Sequence, residues 1–163
     1  PAQPSTADFL DTAHVTMAPP AGRGGESPLF FIREYEVRQR RHALARNYRT
    51  FQYAGRYARL IVANARHLEE HFRLYHRSQE IFDAFGETEL PEALYLKAVF
   101  LFAREEGFPV KESWWQELPG PERSDAASIL NSRLEHLTLS RARIETVIER
   151  LERWLRGSTD ILV

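Results

Sequence analysis

The chain has 163 residues, of which 43% are apolar and none is cysteine, and its net charge is −1. That length suits one domain, or one domain with a piece of another, and the apolar fraction is enough for a packed core, which excludes general disorder. Without cysteine there are no disulfides, thiolate metal sites or cysteine nucleophile, as suits a reducing cytoplasm.

Residues 1–7 (PAQPSTA) read as an unstructured lead-in. Residues 9–17 (FLDTAHVTM) alternate Phe9, Ala13, Val15 and Met17 on one face and predict a strand. APPAGRGGESP (18–28) is a loop by composition, and 29–38 (LFFIREYEVR) predicts a second strand. Two strands alone are marginal in water, so further strands are expected from elsewhere. A start at Pro1, with Met17 the single methionine, likewise points to a missing N-terminal part. Residues 1–38 are therefore read as a remnant of a β-domain and 39–163 as a helical domain.

After residue 40 the apolar period changes. Leu44, Tyr48, Phe51, Gly55, Ala58, Val62, Ala65 and Leu68 form one stripe of a long amphipathic helix. Run unbroken to Phe85, that helix would be about 66 Å long, so a break is expected near Glu69–His71, with a second helix ending at Gly86. A third helix over 90–106 has Pro91 in its first turn and Gly107 just past its end, and it is apolar nearly all round, which places it at the bundle centre. FPVKESWWQELPGPER (108–123) reads as a linker with one turn around Trp114 and Trp115, which are expected to pack on the core helix rather than to form a docking element. Ser124 reads as the N-cap of a helix over 125–137, and a last helix covers 141–156, closed by Gly157. The fold class expected is mainly α: a bundle of about five helices preceded by a β-hairpin. The densest apolar run, Leu94 to Ala103, is about half a membrane span, so a soluble protein is expected.

Charge is sorted along the chain. Residues 33–77 carry eleven arginines against four glutamates, whereas residues 78–122 carry three basic residues against ten acidic ones. Such blocks are either ordinary solvated helix faces or a basic face for polyanions beside an acidic face for something else. Twenty of the 22 basic residues are arginine, which favours bidentate phosphate contacts and stacking on bases. The track Arg33, Arg38, Arg40, Arg41, Arg46, Arg49, Arg56 and Arg59 is interleaved with aromatics that include Tyr35, Tyr53 and Tyr57, and the first six of these arginines are candidates for a nucleic-acid surface. Tyr48 and Phe51 lie on the apolar stripe and are assigned to the core. Arg23, in the Gly-Arg-Gly-Gly of residues 22–25, could touch a phosphate backbone. His67-Leu68-Glu69-Glu70-His71 matches H-x-x-E-H, a pattern of inverted zinc peptidases. The expected helix break interrupts it and no third ligand follows, so the match is read as accidental, with no metal and no cofactor. Nothing else in the spacing marks an enzyme.

In order, DFLDTAHVTMAPP, GRGG, LFFIREYEV and the arginine-rich turn into RRHALARNYRTFQYAGRYARLIVANARHLEE resemble the end of the N-terminal OB-fold and the first helix of the bacterial recombination mediator family RecO. EALYLKAVFLFAREEGFPV is similar to that family's apolar helix with its Gly-aromatic-x-Pro exit, here Gly107, Phe108 and Pro109, and IERLERWLRGSTDILV resembles its last helix and tail. Where some members carry a four-cysteine zinc ribbon, this chain has KESWWQELPGPERS, so their zinc is not implied. The resemblance implies a DNA-repair and recombination protein of the cytoplasm and nucleoid. It would bind single- and double-stranded DNA, anneal strands, act with RecR, engage the acidic, aromatic-ended tail of single-stranded DNA-binding protein, and help load recombinase. The alternative is an all-helical adaptor for partner peptides without nucleic-acid binding.

Overall fold

The computed structural model describes residues 7–19, 30–67 and 70–163. It is mainly helical, with a two-stranded antiparallel sheet ahead of the helices in sequence. The chain divides into one unit up to His42 and a second from Ala43 to Val163.

In the first unit β1 (Thr12–Ala18) pairs antiparallel with β2 (Phe31–Gln39), with irregularities between Thr12 and Ala13 and between Thr16 and Met17. The strands begin two or three residues later than the alternation predicts, because Asp8–Asp11 closes a turn of its own. Asp11 N–H donates to the Asp8 carbonyl, and the Asp11 carboxylate accepts from Asp8 N–H at 3.0 Å. The same carboxylate accepts from the Arg41 backbone N–H and the Arg40 guanidinium, both at 3.2 Å. Leu10 takes φ = 69°, a left-handed conformation costly for a side chain of its shape, and its carbonyl accepts from Arg41 at 2.9 Å. The Asp8 N–H bond, then Arg41 N–H and the Arg40 charge, hold the Asp11 carboxyl below its ordinary value against the opposing effect of burial.

A depressed carboxyl contributes stability above its unfolded value, about 3.9, and loses it as pH falls through the folded value. In an NMR titration the Asp11 carboxyl is expected to titrate below about pH 3.9, with the amide signals of Leu10 and Arg41 shifting over the same range. A midpoint at or above the ordinary aspartate value would refute the clasp.

The second unit contains α1 (His42–Ala45, which spans the division), α2 (Tyr48–Asn64), α3 (His71–Glu87), α4 (Pro91–Glu105), α5 (Trp115–Glu117), α6 (Gly120–Asn131) and α7 (Arg141–Ser158). Two of the seven helices are single turns, which leaves five of bundle length. Asn47 caps α2, its side chain accepting from Arg49 N–H at 2.9 Å. The expected break is present: a 3₁₀ turn over Ala65–His67 follows α2, and α3 starts at His71. Residues 68 and 69 of the H-x-x-E-H pattern lie outside the described residues, as does the side chain of His67. Of the other two, Glu70 pairs with Arg73 and the His71 ring meets the Ala65 carbonyl at 3.0 Å.

α4 is the centre of the bundle, packed against α2, α3, α6 and α7. Ala93, Leu96, Ala98, Val99 and Ala103 are buried around its circumference, so α4 needs no polar face. α7 covers it with Ile144, Val147, Ile148, Leu151 and Leu155. Three predicted ends move. α6 begins at Gly120 rather than 125 and stops at Asn131, because Pro121 needs no N–H partner in a first turn, so Ser124 is interior and not an N-cap. α7 runs through Gly157 to Ser158, where the Thr159 N–H and hydroxyl both return to the Leu155 carbonyl.

The larger correction concerns α2. Tyr48 is 80% exposed and Phe51 40% exposed, whereas Tyr53 and Tyr57 are buried with Ala54 and Leu60. Within α2 the stripe assigned to the core is the outward one, although its first member, Leu44 of α1, is buried as expected.

Candidate nucleic-acid interface

The structure does not treat the seven named arginines alike. Arg23 lies outside the described residues. Arg33 is exposed on β2 and makes no hydrogen bond or ion pair among the described residues. Arg38 forms an exposed pair with Glu36 at 2.9 Å, a contact worth little in water. Arg40 is held by Asp11. Arg41 is buried, donating to the Leu10 carbonyl, to Thr12 Oγ1 at 2.7 Å and to Gln39 Oε1 at 3.2 Å, so its guanidinium is committed to the hairpin.

In the second unit Arg46 is exposed in the turn between α1 and α2, and its side chain makes no hydrogen bond or ion pair among the described residues. Arg49 donates to the Glu89 carbonyl at 2.8 Å and lies 3.9 Å from the buried Glu92 carboxylate, which ties the start of α2 to the start of α4. Arg46 is thus the more available of the two.

The outward side chains of α2 share a face. At 3.6 residues per turn Tyr48, Phe51, Gly55, Arg59 and Val62 point away from Tyr53, Tyr57 and Leu60, and Arg66 continues the row in the following turn. Tyr48, Phe51, Arg59, Val62 and Arg66 are all exposed, along a row about 27 Å long. Helix α2 contains no aspartate or glutamate, so no carboxylate of α2 competes for Arg59. Neither Arg59 nor Arg66 has an ion pair among the described residues. Rings that can stack lie toward the start of this line and guanidinium groups that can meet phosphates toward its end. Arg59 belongs to the arginine track read from the sequence but not to the candidates retained from it, and Arg66 lies beyond that track.

A second feature lies on α4 and the turn after it. A groove of about 640 Å³ has Phe100, Leu101, Trp115 and Leu130 as apolar walls, and Lys97, Arg104 and Lys111 at its rim with one acid, Glu112. Burial lowers the pKa of Lys97, and its ammonium donates to the Ser132 carbonyl at 2.5 Å. Arg104 and Lys111 are exposed. No family model, curated protein or solved structure matches this chain. Among the described residues no helix is long and apolar enough to cross a membrane.

Proposed function

We propose that this chain is a DNA-repair and homologous-recombination mediator that works by binding rather than by catalysis. In this reading it binds single- and double-stranded DNA, anneals complementary strands, and helps load recombinase onto DNA coated with single-stranded DNA-binding protein, with RecR as a further partner, in the cytoplasm at the nucleoid. The observation that carries the reading is the outward row on α2, with Arg46 ahead of it. It combines phosphate-binding and base-stacking groups with no acid of its own helix among them. The order of hairpin, arginine-rich turn and bundle supports the same family reading. The cation-rimmed groove beside Trp115 suits an acidic tail ending in an aromatic residue, which is the other ligand the reading calls for.

The test is single-strand binding by the full chain over a salt series, measured by anisotropy of a labelled oligothymidine. Replacing Arg46, Arg59 and Arg66 together by alanine is expected to weaken binding and to cut the slope of log affinity against log salt by about 2, at roughly 0.7 per phosphate contact. Tyr48→Ala with Phe51→Ala is expected to weaken binding by about tenfold or more with the slope unchanged, since stacking releases no counterions. All five side chains are solvent-facing, so thermal melts should stay near the parent's. Unchanged affinity and slope in both variants would overturn the assignment. The same groove also favours the adaptor reading, which predicts binding of an acidic peptide with no salt-sensitive DNA binding by the parent chain.

A further inference from the structure

On the side of α4 away from the basic groove lies a groove of opposite sign, about 490 Å³ in volume. With about 100° per residue, Phe102 points nearly opposite to the row Lys97, Phe100, Leu101 and Arg104. Phe102, Phe108 and Ile161 supply its apolar surface, and its ionisable lining residues are both acids, Glu106 and Asp160.

Three local devices build it. Gly107 takes φ = 84° after α4, and Phe108 N–H returns to the Ala103 carbonyl at 3.1 Å, which folds the Phe108 ring back toward the helix end. Ile161 N–H donates to the Thr159 hydroxyl at 3.1 Å, turning the segment after α7. Asn64, buried at the end of α2, then grips that segment from both sides: its amide donates to the Leu162 carbonyl at 2.9 Å and its oxygen accepts from Leu162 N–H at 3.0 Å. The Asn64 amide also donates to Leu60 at 2.7 Å, so the wall is tied to the helix. An apolar recess in three fixed walls is thereby held open.

Burial raises the pKa of Glu106, and Glu105 and Glu70 push the same way against Arg73. Arg73 is itself engaged with Glu70 at 3.1 Å and with the Glu105 carbonyl at 3.3 Å. The lips are therefore short of positive charge. A polyanion is repelled here, and a bare polyamine leaves the aromatic floor uncovered.

We propose that this groove is a docking site for a partner peptide in which an apolar anchor residue lies next to lysine or arginine, the anchor resting on Phe102 and Phe108 and the cation between Glu106 and Asp160. The site is separate from the α2 row, and it would serve this chain whether or not the chain binds DNA. α4 then carries two grooves that sort peptides by charge, acidic on one side and basic on the other.

The experiment is anisotropy of a short labelled peptide with a central Leu-Phe pair between lysines, titrated with the full chain, beside a counterpart with glutamates for lysines. Saturable binding of the basic peptide alone is expected, weakened by salt. It is also expected to weaken by up to about tenfold in the Glu106→Gln, Asp160→Asn double variant. That variant keeps side-chain size, and its thermal melt is run in parallel to show the fold retained. Phe108→Ala should weaken the peptide and leave any spermine competition untouched. The proposal is overturned by no saturable binding, by equal binding of the acidic counterpart, by a double variant that binds as the parent does, or by binding indifferent to Phe108→Ala.

Discussion

Replacing Glu152 by alanine is expected to destabilise the helical unit by about 3 kcal/mol or more, seen as a lower urea midpoint at unchanged slope. Glu152 projects from α7 into the seam between α2 and α4. Its Oε1 accepts from the Arg56 guanidinium at 2.6 Å and from the Tyr95 hydroxyl at 2.7 Å. The Arg56 guanidinium lies 4.6 Å from the Tyr95 ring centroid and 5.3 Å from that of Tyr53, so it is boxed in by aromatic faces with one carboxylate to answer it. The two charged side chains are 27% and 12% exposed. Removal of the carboxylate leaves a largely desolvated cation and a buried hydroxyl without an acceptor, and both penalties fall on the folded state. Tyr95→Phe is the contrasting variant. It removes the hydroxyl and keeps the ion pair, at a cost of about 1 kcal/mol. Equal losses in the two variants, or a loss under about 1 kcal/mol in Glu152→Ala, would show the pair to be peripheral.

The same seam sets a limit at high pH. Burial, with help from the Glu145 hydrogen bond, pushes the Tyr53 hydroxyl up to about 12, and burial also pushes Tyr57 to about 12 and raises Tyr95. A raised phenol contributes stability that is whole below its unfolded value of about 10 and is lost as pH climbs toward the folded one. The urea midpoint of the helical unit is therefore expected to fall as pH rises past about 10.

That seam explains what could be read from the sequence and what could not. α4 was legible because it is apolar nearly all round, and a helix of that kind belongs at the centre of a bundle. The break before α3 was legible from length alone. The face of α2 was not. Its two sides both carry rings: Tyr48 and Phe51 face out, while Tyr53 and Tyr57 face in. Tyr53 is admissible inward because a distant group receives its hydroxyl, Glu145 at 3.0 Å across 92 positions of sequence. Hydrophobic period cannot report a partner that far away, so the more apolar stripe was taken as the core. Reading that stripe as core leaves Arg66 out of the candidate site, because it continues the outward row beyond Arg59. Arg41 failed in the other direction: an arginine in a basic run looks free until the carbonyl of a strained Leu10 and the Thr12 hydroxyl are seen to hold it. Around α6, Pro-Gly-Pro reads as loop, although proline is well suited to a first helical turn.

Trp114→Ala is expected to cost the fold about 3–5 kcal/mol, whereas its neighbour Trp115→Ala should cost under about 1 kcal/mol. The pair sits where a π-helical turn, Val110–Trp114, passes into α5. The wider turn sets Trp114 inward, 1% exposed, with its ring 6.0 Å from Phe100 of α4, and leaves Trp115 partly exposed in the wall of the basic groove. Deleting the first opens a cavity beside Phe100 of α4. Trp114 Nε1 is buried with no acceptor among the described residues, so the indole N–H brings no bond that phenylalanine would lose. Trp114→Phe should therefore recover more than half of the alanine loss, the remainder being volume. Trp115→Ala removes groove wall instead of core and is expected to lower affinity for an acidic, aromatic-ended peptide while the urea midpoint stays close to the parent's. Urea melts of the three variants, with peptide anisotropy on the third, separate the roles. A midpoint that drops further for Trp115→Ala than for Trp114→Ala would place the core on the wrong tryptophan. Peptide affinity unaffected by Trp115→Ala would remove the groove from the proposed tail site.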